Sequence, residues 1–363
     1  MLCCARAEST ATARARLAAL QAGPLDWDVI LDEAARHAMI PLLAAHALSL
    51  QPPPWAALRL EREFTAVARR TLTLTSELVE VMAGLKSVGV SATPFKGPTL
   101  AVAAYGRVIL RQFDNLDVLV HRADVAAAER VLGRRGYEPA PGAEGRRPGQ
   151  VRGYVRGDVA LALHCSLAPR WLGSRGSVAG LWVRRRPVEL DRVRVPAPAP
   201  EDHLVLLMLH AAQRVWGRLG WLADVAALLE RHPRLDYAAV RYEARRQGIE
   251  RLVRLGLGLA QALVEAPLPR EVTAWVRRDR RLDDLVRDVC ARRLRPAAAP
   301  PGLLESARFQ LRSRERWSDR VRYAARGAGT VLTLLPARIA ARAANGLRER
   351  SRRAAVVIPA FHR

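Results

Sequence analysis

The chain has 363 residues and a formal net charge of +24. Half of its residues are hydrophobic, which is enough for a sizeable core and excludes a disordered chain. Because domains usually run to roughly 100–200 residues, we expect two or three packed units. The positive charge fits a polyanionic partner such as nucleic acid, a nucleotide or an anionic membrane. However, nearly every basic residue is Arg, with only Lys86 and Lys96 as lysines, which is typical of G+C-rich coding.

The cysteines and the apolar runs bear on the cellular compartment. Four cysteines show neither the spacing of a metal site nor that of a disulfide framework, so we expect a reducing environment. The N-terminal residues carry charges where a signal peptide needs an apolar core. No stretch of about 18 uninterrupted apolar residues occurs, so no membrane-spanning helix is predicted. Together these features predict a cytoplasmic protein.

The hydrophobic period changes twice along the chain, from helical to strand-like and back. Residues 10–50 are predicted helical, and a long helix follows from the stretch "PPPWAALRLEREF" to about residue 86. From residue 201 the pattern is helical to the end. Between these regions we predict strands at 90–95, 116–120, 151–156 and 159–164, helices at 98–105 and 123–135, and an additional edge strand within "RPVELDRVRVPAP".

This order predicts an α/β (α+β) protein with a small mixed sheet flanked by helical regions on both sides. The predicted units are an N-terminal helical region (1–86), an α/β core (87–197), a C-terminal helical domain (198–295) and a basic tail (296–363) that is helical or partly disordered. Neither GxGxxG nor GxxxxGK[ST] occurs, which argues against a dinucleotide-binding or P-loop protein.

Lys96 and Gly97 are the first candidate site residues. They stand between a predicted strand and a helix opened by Gly97-Pro98. A helix N-terminus favours phosphate through its free N–H groups and its dipole, and an ammonium group adds a point charge. We therefore expect Lys96 to face the same cleft as Asp117, although a solvated lysine at a strand end explains the pattern equally well.

The stretch "RQFDNLDVLVH" places Asp114, Asn115 and Asp117 at the start of an apolar strand. Alternate strand residues share a face, so Asn115 and Asp117 point one way and Leu116 points the other. Carboxylates at alternate positions are what a site for two Mg²⁺ ions requires, with a third from a neighbouring strand. An Asx-rich turn leading into a strand is the structural alternative.

Several separated blocks resemble one bacterial family, the uncharacterised nucleotidyltransferases of the polymerase-β-like superfamily. The region from "PFKGPTLAVAAYG" through "RQFDNLDVLVH" to "RRGY" carries the first block, "VALALHCSL" the second and "LHAAQRVWGRLGWLADVAALL" the third. N-terminal "WDVILDEAARHAMIPLL" also fits, so the resemblance covers about residues 25–270. It implies a small nucleotidyltransferase core that binds a nucleoside triphosphate with Mg²⁺ and transfers the nucleotidyl group to an acceptor.

The resemblance also assigns expected roles and shows two departures. It implies that Lys96, Gly97 and Arg111 bind the nucleotide, that Asp117, Asp114 and Asn115 form the catalytic position, and that Asp117 and Asp114 hold the metal. The family's first aspartate aligns with Asn115, and its third carboxylate aligns with Ala162. We therefore predict a weak or inactive transferase with a degenerate metal site.

Other readings remain open at this stage. The protein could be a non-catalytic relative with a binding or regulatory role, or a basic protein that touches nucleic acid or an anionic membrane through its tail. His164 is a candidate general base or ligand, but a structural role is the more common one for a single strand histidine. Trp216 and Trp221 are predicted to pack in the core, and Asp224 to pair with a neighbouring arginine such as Arg218.

Overall fold

The computed structural model describes residues 1–6, 10–141, 151–166, 179–279, 281–293, 302–321 and 323–324. Helices dominate the chain before and after a central region of strands. The helices are α1 (Ala11–Gln21), α2 (Trp27–Arg36), α3 (Ile40–Ala45), α4 (Ala47–Leu50), α5 (Pro54–Ser87), α6 (Gly97–Tyr105), α7 (Val125–Arg134), α8 (Ala179–Arg184), α9 (Pro200–Gln213), α10 (Leu219–Arg231), α11 (Tyr237–Gln247), α12 (Glu250–Val264), α13 (Arg270–Arg277), α14 (Arg281–Arg293) and α15 (Leu303–Arg312). The strands are β1 (Ala92–Pro94), β2 (Asn115–Val120), β3 (Glu138–Pro139), β4 (Arg152–Arg156), β5 (Val159–His164), β6 (Arg186–Leu190) and β7 (Val193–Ala197).

The strands β1 to β5 form one mixed sheet in the order β1-β2-β5-β4-β3. Strand β2 pairs in parallel with β5, while the β1–β2, β4–β5 and β3–β4 pairs are antiparallel. The predicted sheet of four strands is confirmed, and β4 and β5 form an antiparallel hairpin within it. Strand β3 was not predicted, because two residues are too short to show a period.

The last two strands correct a prediction. The segment "RPVELDRVRVPAP" forms its own antiparallel hairpin of β6 and β7, which is a separate two-stranded sheet and not an edge strand of the main sheet. Asp191 and Arg192 both adopt positive φ at its turn, as a tight hairpin of this kind requires. The sequence prediction missed the turn because neither residue is a glycine.

The two faces of the main sheet have different roles. Leu116, Val118 and Leu161 join the apolar residues of α5 and α7 in one buried cluster on the first face. On the opposite face, Leu119 packs against Phe95 and against residues of α8 and α9. This opposite face also carries Asp117, since side chains alternate along the strand.

The remaining helices share a large apolar core that extends from the N-terminal helices to α15. Trp216 is fully buried there, as predicted, and Trp221 packs against the same cluster. The predicted tail is not entirely separate, because Phe309 of α15 is buried and Gln310 donates a hydrogen bond to the Ala212 carbonyl. Residues 296–301, 322 and 325–363 of that tail lie outside the described residues.

No helix in the described part of the chain is long and apolar enough to cross a membrane.

Candidate functional site

The connection between β1 and α6 places Lys96 at the start of the helix. Helix α6 begins at Gly97, as the sequence predicted, and Lys96 is its N-terminal flanking residue without a side-chain cap. Lys96 has φ 63° and ψ −148°, a conformation that favours glycine. A non-glycine residue in such a region costs about 1–3 kcal/mol, and strain of this kind concentrates at functional sites. The backbone therefore marks Lys96 as a residue whose side chain matters.

Asp117 is buried where β2, β5 and the start of α6 meet, a region that we call the cleft, and it uses both carboxylate oxygens. Its Oδ1 lies 3.5 Å from Lys96 Nζ and 2.8 Å from His164 Nε2. Its Oδ2 accepts a hydrogen bond of 3.2 Å from Asn115 Nδ2. Lys96 and Asp117 thus lie on the same side of the sheet, as the sequence predicted, and the placement of Asn115 and Asp117 on one strand face is confirmed.

The ionised form of Asp117 is strongly favoured. Burial by itself raises the pKa of Asp117, but the hydrogen bond from His164 and the positive charge of Lys96 outweigh burial and hold this pKa well below its usual range. Burial lowers the pKa of His164 despite the neighbouring carboxylate, so the ring is neutral near pH 7 and donates from Nε2. Burial likewise lowers the pKa of Lys96, an effect that Asp117 partly offsets.

The donor set around Asp117 does not fit two Mg²⁺ ions. Ala162 lies directly opposite Asp117 in the parallel β2–β5 pair, so a methyl group stands where a third carboxylate would be needed. Asn115 is neutral and donates to Asp117, and the Asp114 side chain is exposed just before the strand. Among the described residues, no group of three or more His, Cys, Asp or Glu side chains could hold a metal ion.

Arg111 belongs to a second buried network, which joins helix α6 to helix α10. Its Nε lies 3.0 Å from Asp224 Oδ2, and Tyr105 donates to Asp224 Oδ1 over 3.0 Å. The predicted pairing of Asp224 with Arg218 is therefore wrong: Asp224 sits in the interior, and its side chain reaches back to α6 and the loop before β2. Arg111 Nη1 is buried without a hydrogen-bond partner in the described structure.

Two residues that the sequence analysis did not select act electrostatically on this region. His210 lies in the last turn of α9, and burial lowers its pKa to about 3, with Lys96 adding to the effect. Arg214 follows the end of α9, is exposed, and its positive charge further lowers the pKa of Lys96 and of His210. Both residues are far from Lys96 and Asp117 in sequence, and the packing of α9 brings them here. The sequence signal that could have identified His210 is its place in the third block quoted above.

Comparison with known proteins places the chain in a family. A family model described as "Uncharacterised nucleotidyltransferase" matches residues 23–265. No curated protein matches the chain. The antibiotic-resistance factor ANT(2'')-Ia, solved in solution, is 13% identical with a TM-score of 0.36, over 48% of this chain and 90% of that chain.

A second solved structure is similar to the same extent. It is an antigenic nucleotidyltransferase-like protein from Paracoccidioides brasiliensis, 14% identical with a TM-score of 0.33, over 56% of this chain and 95% of that chain. The family model covers well over half of the present sequence. The chain therefore belongs to the family of uncharacterised nucleotidyltransferases.

Proposed function

We propose that this protein binds a nucleoside triphosphate at the start of helix α6, beside Lys96 and Asp117, and is a weak or inactive nucleotidyl transferase. The observation that carries the proposal is the register of β2 on β5, which sets Ala162 directly beside Asp117. The fold and the Lys96-Gly97 pair match the family pattern, while two of the three expected carboxylate positions hold Asn115 and Ala162. A site for two metal ions depends on anionic ligands that bridge and orient both ions.

The contacts of the Asp117 carboxylate support the same conclusion. In a two-metal site the carboxylate charge is compensated by the metal ions, whereas here it is compensated by Lys96 and by the neutral donors His164 and Asn115. Removing one preorganised electrostatic group can cost about 100–1,000-fold in rate, and here two are missing. Binding of a triphosphate does not require these carboxylates, because a helix N-terminus and fixed cations attract phosphate without a metal.

The test restores the missing carboxylates. The wild-type chain, the double variant Asn115→Asp/Ala162→Glu, and the same double variant with Asp117→Ala are compared for Mg²⁺-dependent release of pyrophosphate from each of the four ribonucleoside triphosphates. A metabolite and protein extract supplies acceptors. We expect little turnover from the wild type and an increase of about 100-fold or more in the double variant. The Asp117→Ala background should abolish that gain.

One result would overturn the proposal. If the wild-type chain turns over at about 1 s⁻¹ or faster, a usual enzyme rate, and Asp117→Ala abolishes the turnover, the site is active as it stands. The exposed carboxylate of Asp114 would then be the first candidate for the missing ligand, and Asp114→Asn would test it.

A further inference from the structure

We propose that the cleft binds the polyphosphate of its ligand without a divalent cation, with Lys96, Arg111 and Arg214 supplying the positive charge that metal ions would otherwise provide. This inference rests on the proposed function, since it concerns how the same cleft holds a triphosphate. The inference goes beyond the proposed function because a two-metal site binds the triphosphate largely as its metal complex.

The first observation is the free donor of Arg111. The side chain is nine-tenths buried, Nε is held by Asp224, and Nη1 has no hydrogen-bond partner in the described structure. A buried guanidinium N–H without an acceptor costs free energy, and charged groups in this state cost more than neutral ones. An anionic ligand that accepts from Nη1 removes this cost. Guanidinium groups suit phosphate because several donors lie in one plane.

The second observation is the start of helix α6 beside it. Lys96 makes no capping hydrogen bond from its side chain, and Pro98 in the first turn has no N–H. The unsatisfied N–H groups of the first turn and the helix dipole favour an anion here. Phe113 links the two features, because the Arg111 guanidinium lies 5.9 Å from its ring centre and a Cβ on Gly97 would lie 4.0 Å from Phe113 Cδ2.

The third observation is the balance of charge. Lys96 pairs with Asp117 and Arg111 pairs with Asp224, whereas Arg214 adds a further positive charge that acts on Lys96. The neighbouring His164 and His210 add no charge near pH 7, because burial lowers the pKa of both. The Arg214 side chain makes no hydrogen bond or ion pair with the residues that the structure describes. The cluster therefore keeps an excess positive charge in the absence of any metal, and this charge attracts a polyphosphate.

A matched pair of variants tests the proposal. Arg214→Ala and Arg218→Ala both remove an exposed arginine before helix α10, but of the two only Arg214 is among the charges that lower the pKa of Lys96. Binding of ATP, inorganic tripolyphosphate and adenosine is measured calorimetrically, once in EDTA and once in excess Mg²⁺. Binding of tripolyphosphate measures recognition of the phosphates alone, and binding of adenosine measures recognition of the nucleoside alone.

We expect ATP to bind the wild type in EDTA with an affinity that differs from the value in Mg²⁺ by less than about tenfold. Arg214→Ala should weaken binding of ATP and of tripolyphosphate in EDTA by about fivefold, as for one exposed charge, while Arg218→Ala leaves both unchanged. Lys96→Gly should weaken both by about tenfold or more, because a charge-assisted contact is lost. Higher salt should weaken all of these interactions.

Each other outcome has a defined meaning. Binding of ATP only in Mg²⁺ overturns this inference and leaves the proposed nucleotide binding intact. Equal losses in Arg214→Ala and Arg218→Ala also overturn it, because they indicate a diffuse attraction to a basic surface. If neither ATP nor tripolyphosphate binds under either condition, both this inference and the proposed function are wrong.

Discussion

Asp117 and Asp224 are two buried carboxylates in neighbouring networks, one on the sheet and one between helices α6 and α10, and each is paired with a cation. Asp117 lies in the sheet cleft beside Lys96, whose side chain is 19% exposed, whereas Asp224 lies in the helical core beside Arg111, whose side chain is 10% exposed. At Asp224 the effect of burial is larger than that of Arg111 and Tyr105, so the pKa is raised. At Asp117 the hydrogen bond from His164 and the charge of Lys96 outweigh burial, so the pKa is lowered.

This difference in pKa indicates different roles for the two carboxylates: Asp117 belongs to the candidate site, and Asp224 holds residues of the site in place. The cleft keeps a carboxylate strongly ionised next to a lysine that reaches solvent, which suits a group that meets a ligand. The network in the helical core fixes Arg111 and Tyr105 between two helices, and Asp224 acts there as a positioning residue. The predictions below are ordered by expected effect and test this division.

The largest effect is expected for Asp224→Ala. This change leaves the buried Arg111 charge without its carboxylate and removes the acceptor of Tyr105, and breaking a buried ion pair from one side costs about 3–5 kcal/mol. For Asp117→Ala we expect a smaller loss, about 1–3 kcal/mol, because Lys96 can turn towards water. Urea unfolding of both variants measures the difference. Equal losses would remove the distinction between the two regions.

Packing of the helical core is tested at Gly256 in α12. A Cβ at this position would lie 2.0 Å from Met208 Sδ and 2.6 Å from the Trp216 ring, so Gly256→Ala should destabilise the fold by about 1–3 kcal/mol through overpacking. Gly258 on the same helix is the control, since its nearest neighbour would be 3.4 Å away. Gly258→Ala should be neutral or stabilising by up to about 1 kcal/mol. Thermal unfolding of the two variants provides the measurement.

The two carboxylates should also respond oppositely to pH. Because the folded pKa of Asp117 is lowered, its ionisation stabilises the fold above about pH 4, and this contribution is lost as the pH falls towards the folded pKa. The folded pKa of Asp224 is raised, so its contribution is complete below about pH 4 and is lost as the pH rises through the folded value. One pKa unit corresponds to about 1.4 kcal/mol.

Unfolding free energies of Asp117→Asn and Asp224→Asn, each subtracted from the wild-type value between about pH 3 and pH 6, measure the two contributions. The difference should grow with pH for Asp117→Asn and shrink with pH for Asp224→Asn. Slopes of the same sign would show that both carboxylates sit in equivalent environments.

The smallest effect on stability is expected at Lys96. Lys96→Gly removes the ion pair with Asp117 but also relieves the strained φ of 63°, so the two effects largely offset each other. Lys96→Ala loses the same pair and keeps the strain, so it should be less stable than Lys96→Gly by about 1 kcal/mol. Urea unfolding decides this. A more stable alanine variant would show that the backbone at Lys96 is not strained in solution.

The sequence predicted four of the five strands of the main sheet and two residues of the cleft, Lys96 and Asp117. The period of two in 116–120 and 159–164 predicted both central strands, and Gly97-Pro98 predicted the start of α6, because these signals are local. Asp117 and Lys96 were selected together and do lie together. The sequence did not predict the short strand β3 or the β6–β7 hairpin, because two residues show no period and the hairpin turn contains no glycine.

Tertiary structure alone decided the rest of the site. Nothing in the local sequence indicates that Arg111 pairs with Asp224 across more than a hundred residues, or that the end of α9 brings His210 and Arg214 towards Lys96. The register of β2 on β5 likewise belongs to the folded sheet, and it sets Ala162 opposite Asp117. Side-chain period and turn chemistry act over a few residues, so the sequence determined the elements and the identity of Asp117. Contacts between elements depend on how helices and strands pack, and only that packing determined which charges surround the carboxylate.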